Sequence, residues 1–297
     1  MIAPTDPPVM YALVGALLCR SEDGGATWVT EPLDGVAADA ALYALAIDYR
    51  QPATMYLCTS AGIYRREAGR WAFVHTLVAR SLAVDMIDSG VLWAGVVYST
   101  EYGSLLLKSE DGGQTWARAG DGLYGGPVVQ LLVDPANPET MYANTRYGGR
   151  FGWPEGYLFR GGRAGHWEPL RLGETFGPGA CMALGIALDP KGHRLWVGCD
   201  AYYYNEARLV VLSSTNYDAP DSSQIVWETC TPFGDLAPGG YVGGMRPLAV
   251  DAQGVPALYV GRERGYSSGD GLPRQEVLVS RDQGATWEAL PVPALFR

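Results

Sequence analysis

Histidine and cysteine are scarce in this chain of 297 residues, which contains three histidines and five cysteines. The cysteines form no Cys-x-x-Cys pair and have no histidine at ligand spacing, so a structural zinc site is not expected. Their odd number argues against a complete disulfide framework and leaves room for one or two bridges. We therefore predict neither a bound metal nor a cofactor. The cysteines are Cys19, Cys58, Cys181, Cys199 and Cys230.

Charged residues and long apolar runs are also sparse. Only 18% of the residues are charged, and 32 acidic residues outnumber 22 basic ones, which gives a net charge of −10. This field repels phosphates, so we expect no nucleic-acid partner. No apolar run is long enough to span a bilayer and the N-terminal residues lack signal-peptide features, so we expect no membrane insertion. The compartment stays open, and would be extracellular if a leader had been removed.

Glycine, proline and aromatic residues are abundant. The chain has 39 glycines, 20 prolines, nine tryptophans, eighteen tyrosines and six phenylalanines, and 47% of its residues are hydrophobic. This composition is typical of many short strands joined by tight turns around a large core. All-β proteins of this length often form one domain, so we predict a single all-β domain over residues 1–297.

One octapeptide, Ser-x-Asp-x-Gly-x-Thr-Trp, occurs three times. The pattern suits a hairpin turn: the carboxylate accepts hydrogen bonds from turn amides, glycine supplies a positive φ, threonine re-enters a strand and tryptophan packs against a neighbouring sheet. We predict a structural role for all of these positions. They are Ser21, Asp23, Gly25, Thr27 and Trp28; Ser109, Asp111, Gly113, Thr115 and Trp116; and Ser280, Asp282, Gly284, Thr286 and Trp287.

A second signature recurs between the octapeptides: a short aliphatic run ends in aspartate, and a strand with an aromatic residue follows. With third strands leading into the octapeptides and fourth strands beginning at the tryptophan, the pattern predicts six four-stranded units, which is typical of a β-propeller. A β-sandwich would not need six copies of this unit. The aspartates are Asp48, Asp85, Asp134, Asp189 and Asp251, and the degenerate octapeptides keep Trp71, Trp167 and Trp227.

The first unit is incomplete by this pattern, because few residues precede Met10. We therefore expect its first strand to be borrowed from the C-terminus. Pro291 and Pro293 weaken any strand through them, so the closing strand is expected to be very short, around Ala294–Phe296, or missing.

At its octapeptides the chain resembles the Asp-box, or BNR-repeat, β-propeller superfamily, which includes sialidases, sortilin-type receptors and photosystem II assembly factors. The resemblance implies about six four-stranded blades with Asp-box turns between the third and fourth strands. It also places those turns on the face opposite the site that sialidases use. Sialidases carry an Arg-Ile-Pro motif in the first blade; this chain has none, and the nearest string, Met245-Arg246-Pro247, lies in the last unit.

The spacing between the recurring aspartates grows along the chain, mainly in the connections from second to third strands, which predicts diversified loops on one face. These loops carry tyrosines and a tryptophan beside charged residues, a mixture that stacks on sugars or anchors a protein partner, or that buries itself as a cap. The candidate ligand-binding residues are Tyr98, Glu101, Tyr102, Arg146, Tyr147, Arg150, Trp153, Tyr202, Tyr203, Tyr204, Arg262, Arg264 and Tyr266.

The sequence favours a non-catalytic recognition or scaffold propeller that binds a protein segment or a glycan on the loop-rich face. No catalytic residue can be assigned: the histidines stand beside no recognisable nucleophile, and His193 is interpreted as a solvated turn residue. The alternative is a sialidase-like glycoside hydrolase that uses tyrosine and carboxylate groups in the same loops.

Overall fold

A computed structural model shows a chain built almost entirely of β-strands. It describes residues 1–5, 9–23, 27–99, 104–146, 156–172, 181–189, 193–203, 206–230, 248–249, 258–264 and 274–290. The chain forms two compact units, one comprising Met1–Ala143 with Phe159–Glu168 and the other Asn144–Leu158 with Pro169–Arg297. No helix in the described ranges has the length and apolar character needed to cross a membrane.

The strands form six four-stranded sheets, each made of four strands that are consecutive in sequence. Sheet 1 contains β1 (Ile2–Ala3), β2 (Val9–Val14), β3 (Leu17–Ser21) and β4 (Val29–Glu31). Sheet 2 contains β5 (Leu42–Ile47), β6 (Met55–Thr59), β7 (Gly62–Glu67) and β8 (Arg70–His75). Sheet 3 contains β9 (Ala79–Val84), β10 (Leu92–Ser99), β11 (Ser104–Ser109) and β12 (Ala117–Arg118).

The remaining sheets repeat this order. Sheet 4 contains β13 (Val128–Val133), β14 (Thr140–Arg146), β15 (Gly156–Gly162) and β16 (Trp167–Leu170). Sheet 5 contains β17 (Cys181–Asp189), β18 (Arg194–Tyr203), β19 (Glu206–Ser214) and β20 (Glu228–Cys230), with a 3-10 turn at Ser222–Gln224 before β20. Sheet 6 contains β21 (Leu248–Ala249), β22 (Leu258–Arg264), β23 (Arg274–Ser280) and β24 (Glu288–Leu290). The prediction of an all-β propeller is confirmed.

Sheet 1 takes its first strand from the N-terminus, so the prediction that this strand is borrowed from the C-terminus was wrong. Ile2 pairs with Met10 and Ala3 with Val9 in an antiparallel register. The amide of Tyr11 donates to the Met1 carbonyl at 2.7 Å, which extends the ladder and stabilises a strand of two residues. The expected closing strand at Ala294–Phe296 lies outside the described residues.

The core lies between successive sheets. In the first unit, β5 contacts β9 and β9 contacts β13, so the first strands of neighbouring sheets lie side by side. Tyr56, Leu92 and Trp116 pack in one buried cluster that joins sheet 2 to sheet 3. Burial of such large apolar side chains contributes roughly 1.5–3 kcal/mol each, so the packing between neighbouring sheets contributes substantially to stability.

The recurring aspartates close the turn from the first to the second strand. Asp48, Asp85 and Asp134 are at least 97% buried, with exposed fractions of 1%, 1% and 3%. The Oδ1 atom of Asp85 accepts hydrogen bonds from the amides of Ile87 (2.8 Å) and Asp88 (2.9 Å), and Asp48 and Asp134 repeat this arrangement. Each carboxylate therefore satisfies amides that the ladder leaves unpaired. Asp251 lies outside the described residues.

The three octapeptides span the connection from the third to the fourth strand in sheets 1, 3 and 6. In the second copy, Asp111 Oδ1 accepts from the Thr115 amide at 2.9 Å and Oδ2 from the Thr115 hydroxyl at 2.6 Å. The same bonds join Asp23 to Thr27 and Asp282 to Thr286. The threonine hydroxyl and amide lower the pKa of each aspartate from 3.8 to about 2, because they stabilise the ionised form. Gly25 lies outside the described residues.

Candidate functional site

Each sheet has two chemically different ends. In a four-stranded antiparallel meander the first and third turns lie at one end, and the connection between the second and third strands lies at the other. We call the first the octapeptide end, because the octapeptides occupy the third turn, and the second the loop end. The chain also passes from one sheet to the next at the loop end, where the first strand of each sheet begins.

The predicted ligand-binding residues fall at the loop end wherever the structure describes them. Tyr98 on β10 and Arg146 on β14 lie within the last two residues of the second strand of their sheets. Tyr202, Tyr203, Arg262 and Arg264 lie within the last three residues of β18 and β22. The other candidates lie outside the described residues: Glu101, Tyr102, Tyr147, Arg150, Trp153, Tyr204 and Tyr266. That all thirteen candidates converge on one site therefore stays a prediction.

The loop end of sheet 5 carries a hairpin where the sequence predicted a loop. Tyr202 pairs with Ala207 and Tyr203 with Glu206, so the ladder continues almost to the turn. The prediction that Tyr202 and Tyr203 lie in a loop was therefore wrong, because the extra residues lengthen β18 and β19. A long antiparallel ladder holds its backbone more rigidly than a loop would.

A cation–π pair that the sequence did not reveal lies at the loop end of the first unit. The guanidinium carbon of Arg80 lies 3.9 Å from the centroid of the Tyr43 ring. Tyr43 is the second residue of β5 and Arg80 the second residue of β9, so two neighbouring first strands supply the pair. Arg80 is exposed and forms no ion pair with any described residue. The sequence does place the two residues at equivalent positions, since Tyr43 stands two residues before Leu-Ala-Ile-Asp and Arg80 two residues before Leu-Ala-Val-Asp.

Two hydrogen bonds and a ring contact join other residues at the loop end of this unit. Ser60, in the loop-end hairpin of sheet 2, accepts from the Ala41 amide through its hydroxyl at 3.0 Å and donates its own amide to the Ala41 carbonyl at 2.9 Å. Tyr124, in the connection that follows sheet 3, is 46% exposed and packs edge-on against Phe159 with ring centroids 4.9 Å apart. The loop end of this unit thus presents the exposed Tyr124 ring, the partly buried Tyr43 ring and the exposed Arg80 guanidinium.

His193 lies exposed in a turn at the octapeptide end of sheet 5, as the sequence predicted, and it also contacts two neighbouring side chains. Its Nδ1 atom lies 3.4 Å from the Tyr217 hydroxyl, and its Nε2 atom lies 3.3 Å from a carboxylate oxygen of Asp218. Tyr217 is fully buried, so the histidine ties a buried ring to the turn before β18. Across the part of the chain that the structure describes, no group of three or more His, Cys, Asp or Glu side chains could hold a metal ion.

No family model and no curated protein matches the chain. Solved structures do match. A GH74 xyloglucanase from Xanthomonas campestris superposes with a TM-score of 0.60 at 18% identity, over 97% of this chain and 44% of that chain. The structure described as YCF48 bound to D1 peptide matches with a TM-score of 0.56 at 15% identity, over 97% of this chain and 84% of that chain. The shared feature is the β-propeller fold.

A third match comes from the outer coat vertex of COPII on membranes, with a TM-score of 0.59 at 10% identity over 97% of this chain and 73% of that chain. The propeller fold is therefore shared with an enzyme, a peptide-bound protein and a coat component. Identities this low show the fold alone, and the activity has to be argued from the residues.

Proposed function

We propose that this chain is a recognition propeller of the Asp-box (BNR-repeat) type, with six four-stranded blades, that binds an extended protein segment at its loop ends. The observation that carries the proposal is the exposed Arg80 guanidinium stacked on Tyr43. The ring contacts one face of the guanidinium, so the N–H groups at its edge can still donate to a carboxylate. The ring also holds the arginine in place before binding, which reduces the conformational entropy that is lost when a ligand binds. The expected ligand is an acidic segment with at least one apolar side chain.

The distribution of arginine supports an acidic ligand. The chain has a net charge of −10, yet the predicted loop-end set includes Arg146, Arg150, Arg262 and Arg264. Each of these arginines can donate charge-assisted hydrogen bonds to a carboxylate of a bound segment. Charge-assisted hydrogen bonds contribute about 1.5–3 kcal/mol each, so two or three of them would add about 3–9 kcal/mol to binding.

The comparison with a peptide-bound structure supports a protein segment as the ligand class. The YCF48 chain is matched along 84% of its own length, whereas only 44% of the xyloglucanase chain is matched. The Asp-box assignment rests on the octapeptide bonds from Ser21 and Ser109 to Asp23 and Asp111, both 2.8 Å long, and on their position between third and fourth strands.

The experiment is a selection of random peptides from a display library on the wild-type chain, followed by fluorescence anisotropy of a labelled selected peptide. We expect Tyr43→Ala and Arg80→Gln to weaken binding by about tenfold or more. Arg80 is exposed, so Arg80→Gln should leave the melting temperature unchanged; Tyr43 packs against the buried cluster between sheets 2 and 3, so Tyr43→Ala should also lower it. Arg70→Gln, at the octapeptide end of sheet 2, is the matched control and should bind normally. Failure to select any peptide, or equal affinity of all three variants, would contradict the proposal.

A glycoside hydrolase is the second candidate, favoured by the match to the xyloglucanase over 97% of this chain. Turnover of xyloglucan oligosaccharides, sialosides or aryl glycosides by the purified chain would support it, and flat rates across that panel would exclude it. A scaffold role is distinguished by co-purification of a partner that survives both Tyr43→Ala and Arg80→Gln.

A further inference from the structure

The first strand of sheet 2 contains a β-bulge at Tyr43. Leu42 pairs with Thr59 and Ala44 pairs with Cys58, and these two partners are consecutive residues of β6. Tyr43 is therefore an extra residue in β5. A β-bulge redirects a side chain, and such bulges are common next to functional sites. The ring of the cation–π pair is thus supplied by the irregular residue of its strand.

The bulge turns the Tyr43 ring toward sheet 3. Side chains of a regular strand alternate between its two faces, so residue 43 would share a face with Leu45 and Ile47. Leu45 and Ile47 pack in the cluster between sheets 1 and 2. Tyr43 instead packs in the cluster between sheets 2 and 3, with Ala46. Without the bulge the ring would face sheet 1 and could not stack on Arg80.

The first strands of sheets 3 and 5 contain a bulge at the same position. In sheet 3 the pairing of β9 with β10 shifts by one residue at Arg80. In sheet 5 the pairing of β17 with β18 shifts by one residue at Leu184. Like Tyr43, each of these residues stands five positions before the recurring aspartate of its sheet. The backbone irregularity is therefore repeated from sheet to sheet.

The residue at the bulge position varies although the residues that follow it repeat. The aliphatic run before the aspartate is similar in each sheet, and in sheets 2 and 3 it is buried. The residue five positions before the aspartate differs in size and charge. In sequence order it is Tyr43, Arg80, Val129, Leu184 and Arg246. A position on a strand that holds its side chain precisely, and that carries different side chains, suits a specificity-determining residue.

Arg80 is the accessible residue of β9. The other five residues of this strand are buried, whereas Arg80 is exposed. Its guanidinium carbon lies 3.9 Å from the centroid of the Tyr43 ring, and it forms no ion pair with any described residue. Among the side chains of β9, only that of Arg80 can therefore meet a ligand with a full charge.

We propose that positions 43 and 80 determine the sequence specificity of the recognition surface, and that the charge at position 80 selects a ligand residue of opposite sign. This inference rests on the proposed function and adds the source of its preference for acidic segments. The bulge in β5 supplies the ring that holds the charge in place. A bound peptide should lose affinity when the carboxylate opposite Arg80 is replaced by an amide.

The test is a parallel display selection of random peptides on the wild-type chain, Arg80→Glu and Thr76→Glu. The control Thr76→Glu places the same side chain at an exposed position of the connection that leads into β9. We expect acidic residues to be enriched on the wild type and on Thr76→Glu, and basic residues on Arg80→Glu. By fluorescence anisotropy, a labelled wild-type peptide should bind Arg80→Glu at least about tenfold more weakly than Thr76→Glu.

The proposed function and this specificity assignment fail in different ways. If no peptide is selected on the wild-type chain, both are overturned. If Arg80→Glu selects the same acidic peptides as the wild type, the recognition function stands and the specificity assignment is overturned. The same conclusion follows if Thr76→Glu changes the selected peptides as much as Arg80→Glu does.

The role of the bulge has a separate test. Leu42 packs in the cluster between sheets 1 and 2, so the double variant Leu42→Tyr with Tyr43→Leu keeps the composition and moves the ring to that face. We expect the wild-type peptide to bind this variant about tenfold more weakly. Wild-type affinity together with an unchanged circular dichroism spectrum would contradict the role given to the bulge.

Discussion

The side-chain oxygen of Asn216 accepts a hydrogen bond from the backbone amide of Val226 at 2.9 Å, across nine intervening residues. Val226 stands directly before Trp227, as Thr115 stands directly before Trp116. In that second octapeptide, Asp111 accepts the equivalent hydrogen bond from the Thr115 amide across three intervening residues. The Ser214 hydroxyl donates to Asn216 Oδ1 at 3.0 Å, as Ser109 does to Asp111. Sheet 5 therefore retains the octapeptide turn with six residues inserted (nine minus three).

Asn216→Asp should destabilise the chain although it restores the residue of the other octapeptides. The Asn216 amide nitrogen donates to the Gln224 carbonyl at 2.9 Å, and a carboxylate would place an acceptor against that acceptor. We expect a loss of about 1–2 kcal/mol in the free energy of unfolding, measured by urea denaturation. Gln224→Ala keeps the carbonyl and is the control. Equal or greater stability of Asn216→Asp would contradict this account of the turn.

Asp111→Asn should flatten the acid dependence of stability. The pKa of Asp111 is lowered from 3.8 to about 2 in the folded chain. Between these two pH values the folded state therefore binds fewer protons than the unfolded state. Its contribution is fully present above the unfolded pKa of 3.8 and is lost as the pH falls through about 2. The stability gap between wild type and variant should therefore shrink from about pH 4 to about pH 2 in denaturation series. A stability difference that does not change with pH would contradict this prediction. So would an equal pH-dependent change in Glu110→Gln, the control in the same turn.

Gly95→Ala should be strongly destabilising, because β10 and β13 approach closely at this position. An added Cβ atom would lie 2.2 Å from the Ser81 hydroxyl oxygen and 2.5 Å from the Val128 carbonyl oxygen. Overpacking of this kind costs about 1–3 kcal/mol, seen as a lower melting temperature. At Gly90 the nearest atom would be 3.3 Å away, so Gly90→Ala should cost less. A larger loss of stability in Gly90→Ala than in Gly95→Ala would contradict this prediction, because it would show that β10 and β13 can move apart to admit a methyl group at position 95.

The cysteines should fall into three reactivity classes. Burial raises the pKa of Cys58 to about 12 and also raises that of Cys19, while Cys230 is half-buried and Cys199 is disulfide-bonded. We expect iodoacetamide to label Cys230 much faster than Cys19 or Cys58 in the native chain, since the thiolate is the reactive species. After unfolding without reductant, Cys19, Cys58 and Cys230 should be labelled and Cys199 should not. Labelling of Cys199, or native labelling of Cys58 as fast as that of Cys230, would contradict this.

The propeller fold could be predicted from the sequence because its turns are local. Asp111 and Thr115 lie four residues apart, so one short pattern contains both partners of the bond. The strand at Ile2–Ala3 could not be predicted, since two residues carry no alternation and only pairing with Val9 and Met10 defines them. The insertion after Asn216 concealed its turn for a related reason, because the partner lies beyond the length of the octapeptide.

The candidate site was predictable in part. The octapeptides indicated which end of each sheet would vary, since third and fourth strands meet opposite the loop end. The pair of Tyr43 and Arg80 depends on two neighbouring first strands lying side by side, and sequence spacing does not give the distance between them.

Amide hydrogen exchange of the wild-type chain, with and without a selected acidic peptide, tests the central claim most directly. If the loop ends recognise the peptide, protection should increase at residues 41–44, 59–62 and 79–81, where Tyr43, Ser60 and Arg80 lie, and should be unchanged at the octapeptide turn 109–116. Protection confined to 109–116, or no change in any of these segments at saturating peptide, would contradict recognition at the loop ends.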